Sequence, residues 1–215
     1  MAAGTTRDQI LEILQRRETQ TVLGLAGELG LAPTTVRRHL DILQRDGLVT
    51  FTEVRKGAGR PEFSFSLTEP GQEHMPKRYE QLLSGLVSRI SRMSADEISG
   101  KSGAEVLDEA LTELADDAIH EHGAAPGGGL EALVEVLRER DFAPEVSDIG
   151  DDGTVSISLM NCPYRSVAVD NPSICQNDTA LMERMLQAPA ERVACITRGD
   201  SCCTYRLKVG MNWSS

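Results

Sequence analysis

The fold of this chain is decided by the stretch Pro33-Thr34-Thr35-Val36-Arg37-Arg38-His39-Leu40-Asp41-Ile42-Leu43. Its apolar residues Val36, Leu40 and Leu43 recur at the spacing of one helix face, and Pro33 suits the first turn of a helix. The polar residues between them would point away from that face. The stretch therefore predicts a helix with an apolar inner side and a polar, cationic outer side.

Two shorter helices are predicted before this stretch. Thr6 and Gln9 have the spacing of a capping box, which predicts that the first helix begins there. Thr21 would start the second helix, and Gly30 would end it because glycine commonly terminates helices. Asp46-Gly47 would end the third helix in the same way.

Two runs of alternating apolar and polar residues follow the third helix, at residues 48–54 and 62–67. They flank a glycine-rich turn that carries several cations, so a β-hairpin with a basic tip is expected. Three helices followed by such a hairpin form the element order of a winged helix-turn-helix, whose third helix enters the major groove of DNA. Two adjacent arginines alone would indicate only a solvated helix face, but the complete order of elements favours DNA binding. The predicted DNA-binding residues are Thr34, Thr35, Arg37, Arg38, His39, Arg55, Lys56 and Arg60.

The net charge of −11 is unevenly distributed along the chain. Residues 1–68 contain nine Lys/Arg and eight Asp/Glu, whereas residues 69–215 contain 13 and 25. The first segment is therefore free to approach phosphate groups despite the acidic total. No apolar run is long enough to span a bilayer, and the polar N-terminus lacks a signal-peptide core. A cytoplasmic protein with no membrane partner is expected.

All five cysteines lie within residues 162–203, which suggests one site rather than scattered core thiols. An odd number of cysteines in a chain without an export signal suits a metal or redox site better than a set of disulfides. Cys162 and Cys175 are predicted to lie in loops, and Cys195 within a strand at 192–197. Cys202 and Cys203 are adjacent, so at most one of them would face a shared site. Zinc sites usually show paired C-x₂-C motifs, which are missing here, so the spacing favours an iron–sulfur cluster over zinc.

The same residues carry a resemblance to known protein families. The N-terminal motifs resemble those of DeoR/ArsR-like winged-helix regulators: Leu31-Ala32-Pro33-Thr34-Thr35-Val36-Arg37-Arg38-His39-Leu40, Arg45-Asp46-Gly47-Leu48-Val49, Gly59-Arg60-Pro61 and Leu67-Thr68-Glu69-Pro70-Gly71. The cysteine motifs are more specific: Asn161-Cys162-Pro163-Tyr164, Asn171-Pro172-Ser173-Ile174-Cys175 and Gly199-Asp200-Ser201-Cys202-Cys203-Thr204-Tyr205. With both sets together, nearly the whole chain is similar to the SufR family.

The resemblance to the SufR family implies a bacterial homodimeric repressor of iron–sulfur cluster assembly (suf-type) genes. It implies a [4Fe–4S] cluster held by Cys162, Cys175 and Cys203, with Cys195, Cys202, a non-cysteine donor or an open iron as the fourth position. Loss of the cluster would weaken binding to double-stranded operator DNA and permit transcription. A [2Fe–2S] cluster or zinc is the less favoured occupant.

We therefore expect an α+β protein of three segments. Residues 1–70 would form the winged helix-turn-helix, residues 71–98 a linking helix that dimerises the protein, and residues 99–215 an α+β domain that binds the cluster. The alternative function is a zinc- or thiol-redox-sensing winged-helix regulator that uses the same cysteines. An enzyme with a cysteine nucleophile and a small-molecule substrate is disfavoured, because all four histidines lie before residue 123. The tract His120-Glu121-His122 resembles a metal site, but its two histidines would point apart on a helix.

Overall fold

The computed structural model describes residues 4–54, 62–150 and 152–208, and the chain divides into two compact units, Met1–Pro76 and Lys77–Ser215. The first unit contains α1 (Thr6–Arg17), β1 (Gln20–Thr21), α2 (Val22–Leu29), α3 (Pro33–Arg45), β2 (Val49–Val54), β3 (Glu62–Leu67) and α4 (Glu69–His74). Its strands form an antiparallel sheet in the order β1-β3-β2. This is the predicted order of three helices followed by a hairpin.

The apolar stripe of α3 builds the core of the first unit as predicted. Val36 and Leu40 are fully buried, and Leu43 is nearly so. They join apolar side chains of α1, α2 and the sheet in one cluster, which includes Ile10, Leu14, Leu25, Val49 and Phe65. Burial of this stripe forces the polar side of α3 outward.

The start of α1 lies one residue earlier than the sequence predicts. The Thr5 side chain accepts a hydrogen bond from the Asp8 N–H at 3.3 Å, and the Asp8 carboxylate accepts one from the Thr5 N–H at 2.8 Å. The capping box is therefore formed by Thr5 and Asp8, and not by Thr6 and Gln9. A charged acceptor at the positive end of a helix is the stronger partner, which explains the choice of Asp8.

The wing is an antiparallel pair of β2 and β3 with six residues on each strand, from Val49 opposite Leu67 to Val54 opposite Glu62. Thr68 caps α4 and also donates a hydrogen bond to the Gly47 carbonyl at 2.5 Å. A Cβ at Gly71 would lie 2.1 Å from the Leu48 carbonyl oxygen, so only glycine permits this close approach. These contacts fix the wing to the end of α3.

The second unit is built from helices around one antiparallel sheet. Its elements are α5 (Tyr79–Arg92), α6 (Ala95–Ile98), α7 (Gly103–Glu121), α8 (Gly129–Glu139), β4 (Pro144–Val146), β5 (Thr154–Leu159), α9 (Arg165–Asp170), α10 (Cys175–Leu186), β6 (Ala190–Ala194) and β7 (Cys203–Lys208). The strand order is β4-β5-β7-β6. The prediction of an α+β fold is confirmed.

The helix α5 packs within the second unit although the sequence suggests a separate linking segment at 71–98. It lies against α7, where a Cβ at Gly85 would come within 2.7 Å of the Leu114 side chain. Leu82 is buried in this contact and belongs to the same core as α7, α8, α10 and the sheet. Among the described helices, none has the length and apolar character needed to cross a membrane.

Candidate functional site

The outward side of α3 forms the candidate nucleic-acid interface of the first unit. Thr34, Thr35, Arg37 and Arg38 are exposed, and His39 is half-buried. A shallow surface concavity of about 590 Å³ is lined by Arg7, Thr34, Thr35, Arg38, His39 and Ile42. The structure therefore brings together four of the eight residues predicted to bind DNA.

Arg7 of α1 is a cation that the sequence-based prediction missed. It is exposed and lines the same concavity as Arg38, although 31 positions separate the two in the chain. Helical spacing groups residues of one helix only, so no pattern within α3 indicates Arg7. The predicted wing residues Arg55, Lys56 and Arg60 lie outside the described residues.

The cysteines of the second unit come from different elements. Cys162 follows β5 in a loop, as predicted. Cys175 is the first residue of α10 and not part of a loop, because a short 3-10 turn at Pro172–Ile174 leads directly into that helix. Cys203 is the first residue of β7, opposite Leu159 at the end of β5.

Cys195 lies outside the strand in which the sequence predicts it. β6 ends at Ala194 after an irregularity in its pairing with β7, and a 3-10 turn at Ile196–Arg198 follows. The Asp200 carboxylate accepts a hydrogen bond from the Cys195 N–H at 2.6 Å, and the Asp200 N–H donates one to the Cys195 carbonyl at 3.3 Å, so residues 195–200 form a closed turn. Cys195 therefore occupies a tight turn next to the start of β7.

Four of the five thiols share the core of the second unit. Cys162, Cys175, Cys195 and Cys203 are each at most 6% exposed, whereas Cys202 is half-buried and its Sγ lies 3.4 Å from Thr204 Oγ1. The Sγ atoms of Cys195 and Cys203 are 3.9 Å apart. The Ile196 N–H donates a hydrogen bond to Cys203 Sγ at 3.3 Å. Cys202 and Cys203 thus diverge as predicted for neighbours at a strand.

Burial strongly disfavours ionisation of three of these thiols. It raises the pKa of Cys162 to about 12, and the nearby Asp178 carboxylate adds to this effect. Burial and Asp178 also raise the pKa of Cys175, and burial raises that of Cys203. Cys195 differs: burial opposes its ionisation, but hydrogen bonds from Thr197 outweigh it and lower the pKa below the ordinary value.

Asp178 is the second functional candidate that the sequence-based prediction missed. It lies in the first turn of α10, is 4% exposed, and its Oδ1 atom has no hydrogen-bond partner. Burial raises its pKa to about 7, although Arg140 and Arg192 act in the opposite direction. Residues three positions apart share one face of a helix, so the sequence would link Asp178 to Cys175 only if the helix were known to start at Cys175.

The donors lie close to one another without converging on a single point. Within residues 4–54, 62–150 and 152–208, no group of three or more His, Cys, Asp or Glu side chains is arranged to hold one metal ion. The tract at 120–122 fits this result, since His122 Nε2 lies 3.2 Å from Glu139 and His122 Nδ1 lies 2.7 Å from the Ala118 carbonyl. Both ring nitrogens of His122 therefore have structural partners.

Comparison with protein families finds one match in each unit. Residues 5–50 match the family described as bacterial regulatory protein, arsR family. Residues 126–208 match the family described as Methanogen output domain 1. A comparison with curated proteins gave no match.

Comparison with solved structures finds only distant similarity. A mutant of Lactococcus lactis ZitR is 21% identical, with 54% of this chain and 76% of that chain covered and a TM-score of 0.27. Bacillus subtilis PadR in complex with operator DNA is 17% identical, with 62% and 88% covered and a TM-score of 0.29. Trafficking protein particle complex subunit 3 from Naegleria fowleri, covalently bound to palmitic acid, is 14% identical, with 63% and 97% covered and a TM-score of 0.33. These TM-scores are too low to carry an argument about fold or function.

The first unit combines the arsR-family match with three helices and a β-hairpin. It is a winged helix-turn-helix that is similar to the arsR family over residues 5–50, and the polar side of its third helix, α3, is exposed to solvent. The protein is accordingly a DNA-binding transcriptional regulator and not an enzyme.

Proposed function

We propose that the protein represses iron–sulfur cluster assembly (suf-type) genes and that its operator binding depends on a [4Fe–4S] cluster in the second unit. The observation that carries the proposal is the gathering of Cys162, Cys175 and Cys203 in one buried core. The assignment of target genes rests on the resemblance of the cysteine motifs to the SufR family. Because the protein is a DNA-binding regulator, the activity that such a cluster would control is binding to operator DNA.

The donor chemistry of this core fits an iron–sulfur cluster. Three thiols that are neutral and desolvated in the metal-free chain become soft thiolate donors once iron binds, since a coordinated thiol is deprotonated. Ligands of a multi-iron cluster are distributed over several irons, so they need not converge on one atom as zinc ligands must. When bound, the cluster would supply an oxidant-sensitive cross-link between three segments of the chain.

The three cysteines would tie together three different elements of one core. Cys162 follows β5, Cys203 begins β7, and these two strands pair directly. Cys175 begins α10, which packs on α7 and α8. Cluster binding would therefore fix the start of α10 against the end of the sheet, and cluster loss would release it. A change in operator affinity of about 5- to 150-fold corresponds to a coupling of about 1–3 kcal/mol.

We also propose that the protein binds DNA as a homodimer through α5. Leu83, Val87 and Ile90 lie at helical spacing and are 64%, 56% and 48% exposed. The opposite side of α5 already packs on α7 through Leu82, so this second apolar face has no role within the core. Operators of helix-turn-helix regulators repeat with two-fold symmetry, and a second copy of the chain supplies the matching surface.

On the DNA side, Thr34, Thr35, Arg38 and His39 would contact the major groove, and Arg7 would contact phosphate. The α3 helix begins with Ala32 as its N-cap, without a side-chain hydrogen bond to its first N–H groups. The positive end of the helix dipole favours phosphate oxygens at a helix start, and such a contact would set the depth of α3 in the groove.

The test is anaerobic purification followed by iron and sulfide analysis, visible absorption and operator binding before and after cluster removal. We expect iron and sulfide in equal amounts and a loss of operator affinity when the cluster is removed. A colourless protein without iron whose operator affinity is unaffected by reconstitution would refute the proposal.

A thiol-redox regulator is the second candidate, and the 3.9 Å separation of Cys195 and Cys203 Sγ favours it. In this case both thiols would lose their protons and together two electrons to a peroxide, which is reduced to water, and an Sγ–Sγ bond would form. The depressed pKa of Cys195, stabilised by Thr197 against the cost of burial, makes it the attacking thiolate. Peptide mapping after peroxide treatment identifies this disulfide directly, and Cys195→Ser would abolish any peroxide response that depends on it.

A further inference from the structure

Asp178 is a carboxylate buried in the second unit. It is 4% exposed, and its Oδ1 atom is enclosed without a hydrogen-bond partner. A buried charge without a close partner is costly, and proteins generally retain such groups only where they are paired or bind a metal. Arg140 and Arg192 act on Asp178 electrostatically but leave Oδ1 without a hydrogen bond.

Asp178 interacts electrostatically with the three cysteines proposed as cluster ligands. It follows Cys175 by three positions on α10, so both side chains share one face of the helix. Its charge contributes to the raised pKa of Cys162, Cys175 and Cys203 alike, which requires that it lie near all three. The end of β5, the start of β7 and the start of α10 therefore each carry a cysteine within electrostatic reach of this carboxylate.

The two remaining cysteines are poorer candidates for the fourth position. Cys202 is half-buried and directs its Sγ toward Thr204, on the side of β7 opposite to Cys203. Cys195 Sγ lies in contact with Cys203 Sγ and 3.1 Å from Thr197 Oγ1. Cys195 is thus in contact with a thiol already proposed as a ligand, whereas the Asp178 Oδ1 atom has no hydrogen-bond partner.

We propose that the Asp178 carboxylate is the fourth ligand of the cluster and binds the iron that no cysteine holds. This inference rests on the proposed function. A carboxylate is a harder donor than a thiolate and holds iron less firmly in a sulfur-rich site. The iron bound by Asp178 is therefore the first to leave when iron is scarce or an oxidant is present.

The experiment uses the full chain, reconstituted anaerobically with ferrous iron and sulfide. The variants are Asp178→Asn, which keeps the shape but removes the charge, and Asp178→Cys, which supplies a thiolate. Asn177→Ser is the matched control, because Asn177 is the adjacent residue of α10, is 1% exposed and also has an Oδ1 atom without a partner. Cys195→Ser tests the competing thiolate. The readouts are the rate of iron loss on ferricyanide oxidation, the EPR signal of a three-iron cluster and the Mössbauer spectrum.

We expect Asp178→Asn to lose the labile iron at least about tenfold faster than the wild type. Removal of a residue that only hydrogen-bonds to a metal ligand already lowers metal affinity by about tenfold or more, and removal of a ligand should cost at least as much. Asp178→Cys should lose it more slowly than the wild type, and Asn177→Ser at the wild-type rate. The wild-type Mössbauer spectrum should contain one iron site distinct from the thiolate-bound sites.

Three results would overturn the inference. One is wild-type kinetics and spectra in Asp178→Asn, and another is accelerated iron loss confined to Cys195→Ser. The third is a wild-type Mössbauer spectrum of equivalent thiolate-bound irons, which decides the question even if the Asp178 variants do not fold. A wild-type chain that takes up no iron would instead refute the proposed function itself.

Discussion

The two units keep their chemically distinctive residues in opposite places. In the first unit the core is an apolar cluster, and the cations and hydroxyl groups of α3 lie at the surface. In the second unit four thiols and the Asp178 carboxylate lie inside the core. A DNA duplex is too large to be enclosed and must be contacted at a surface, whereas a core serves only a group small enough to be surrounded. The proposed sensing of a small group therefore requires buried chemical groups, whereas binding of DNA requires exposed ones.

The strongest test of this comparison is Cys203→Ser, which removes one buried thiol that we propose as a cluster ligand. We expect iron and visible absorption to fall to background, and operator affinity to fall by about 5- to 150-fold. Cys202→Ser is the control, since that half-buried thiol is adjacent in sequence but directed elsewhere. Full cluster absorbance with normal operator binding in Cys203→Ser would contradict the ligand assignment.

On the surface side, Arg38→Ala should weaken operator binding by about tenfold or more, because one phosphate or base contact contributes about 1–3 kcal/mol. A titration by fluorescence anisotropy at several salt concentrations measures both the affinity and its salt dependence. Loss of a phosphate contact would also reduce the salt slope by about one. Arg45→Ala provides the comparison, as Arg45 is exposed in the last turn of α3 but outside the concavity. Equal losses in both variants would mean that charge alone, and not the position on α3, matters.

The apolar face of α5 differs from both the exposed polar side of α3 and the buried thiols of the second unit, because it is apolar and exposed. Leu83→Glu should weaken dimerisation by about tenfold or more, in the range of an interface side chain worth over 1 kcal/mol. Analytical ultracentrifugation across a dilution series gives the dissociation constant. Ile149→Glu changes another exposed apolar residue, 54% exposed and distant from α5 in the chain, and should leave the dimer intact. A wild type that sediments as a monomer at all concentrations would rule out this dimer.

The smallest effect is expected for stability in the metal-free protein. Burial raises the pKa of Asp178 from 3.8 to about 7, so between these values the native state holds a proton that the unfolded chain releases. The contribution of Asp178 to stability therefore decreases as pH rises through this window. Asp178→Asn cannot ionise, so it should melt a few degrees higher than the wild type at mildly alkaline pH, at about 2–4 °C per kcal/mol.

The same comparison predicts a smaller gain at mildly acidic pH, where the native state still holds the Asp178 proton, and no gain below the unfolded pKa of 3.8, where Asp178 is neutral in both states. Asp170→Asn, at an exposed position, should change the melting temperature little at either pH. Calorimetry of chelator-treated protein measures these differences. A lower melting temperature for Asp178→Asn at alkaline pH would show that the carboxylate stabilises the fold through Arg140 or Arg192.

The sequence predicts the first unit better than the second for a physical reason. The α3 helix, the caps at Thr21 and Gly30, and the wing strands are set by local spacing, and all are confirmed. The position of Arg7 beside α3 is not predicted, because it results from the packing of α1 against α3. In the second unit, the predictions of a loop at Cys175 and a strand at Cys195 are wrong, because short 3-10 turns have no characteristic spacing of apolar residues. Burial of Asp178 depends on the whole core, which no spacing within one segment reveals.

The position of β7 has a consequence for the order in which the protein is made. β7 follows the other described strands in the chain, yet it lies between β5 and β6 in the sheet. The first unit can complete its core soon after residue 76 is synthesised, because domains generally fold as units during synthesis. Until residue 208 has left the ribosome, β5 and β6 lack their common neighbour, and such unpaired edges favour aggregation. A chain interrupted before Cys203 would therefore carry a finished α3 surface in the first unit and an unfinished, aggregation-prone sheet in the second.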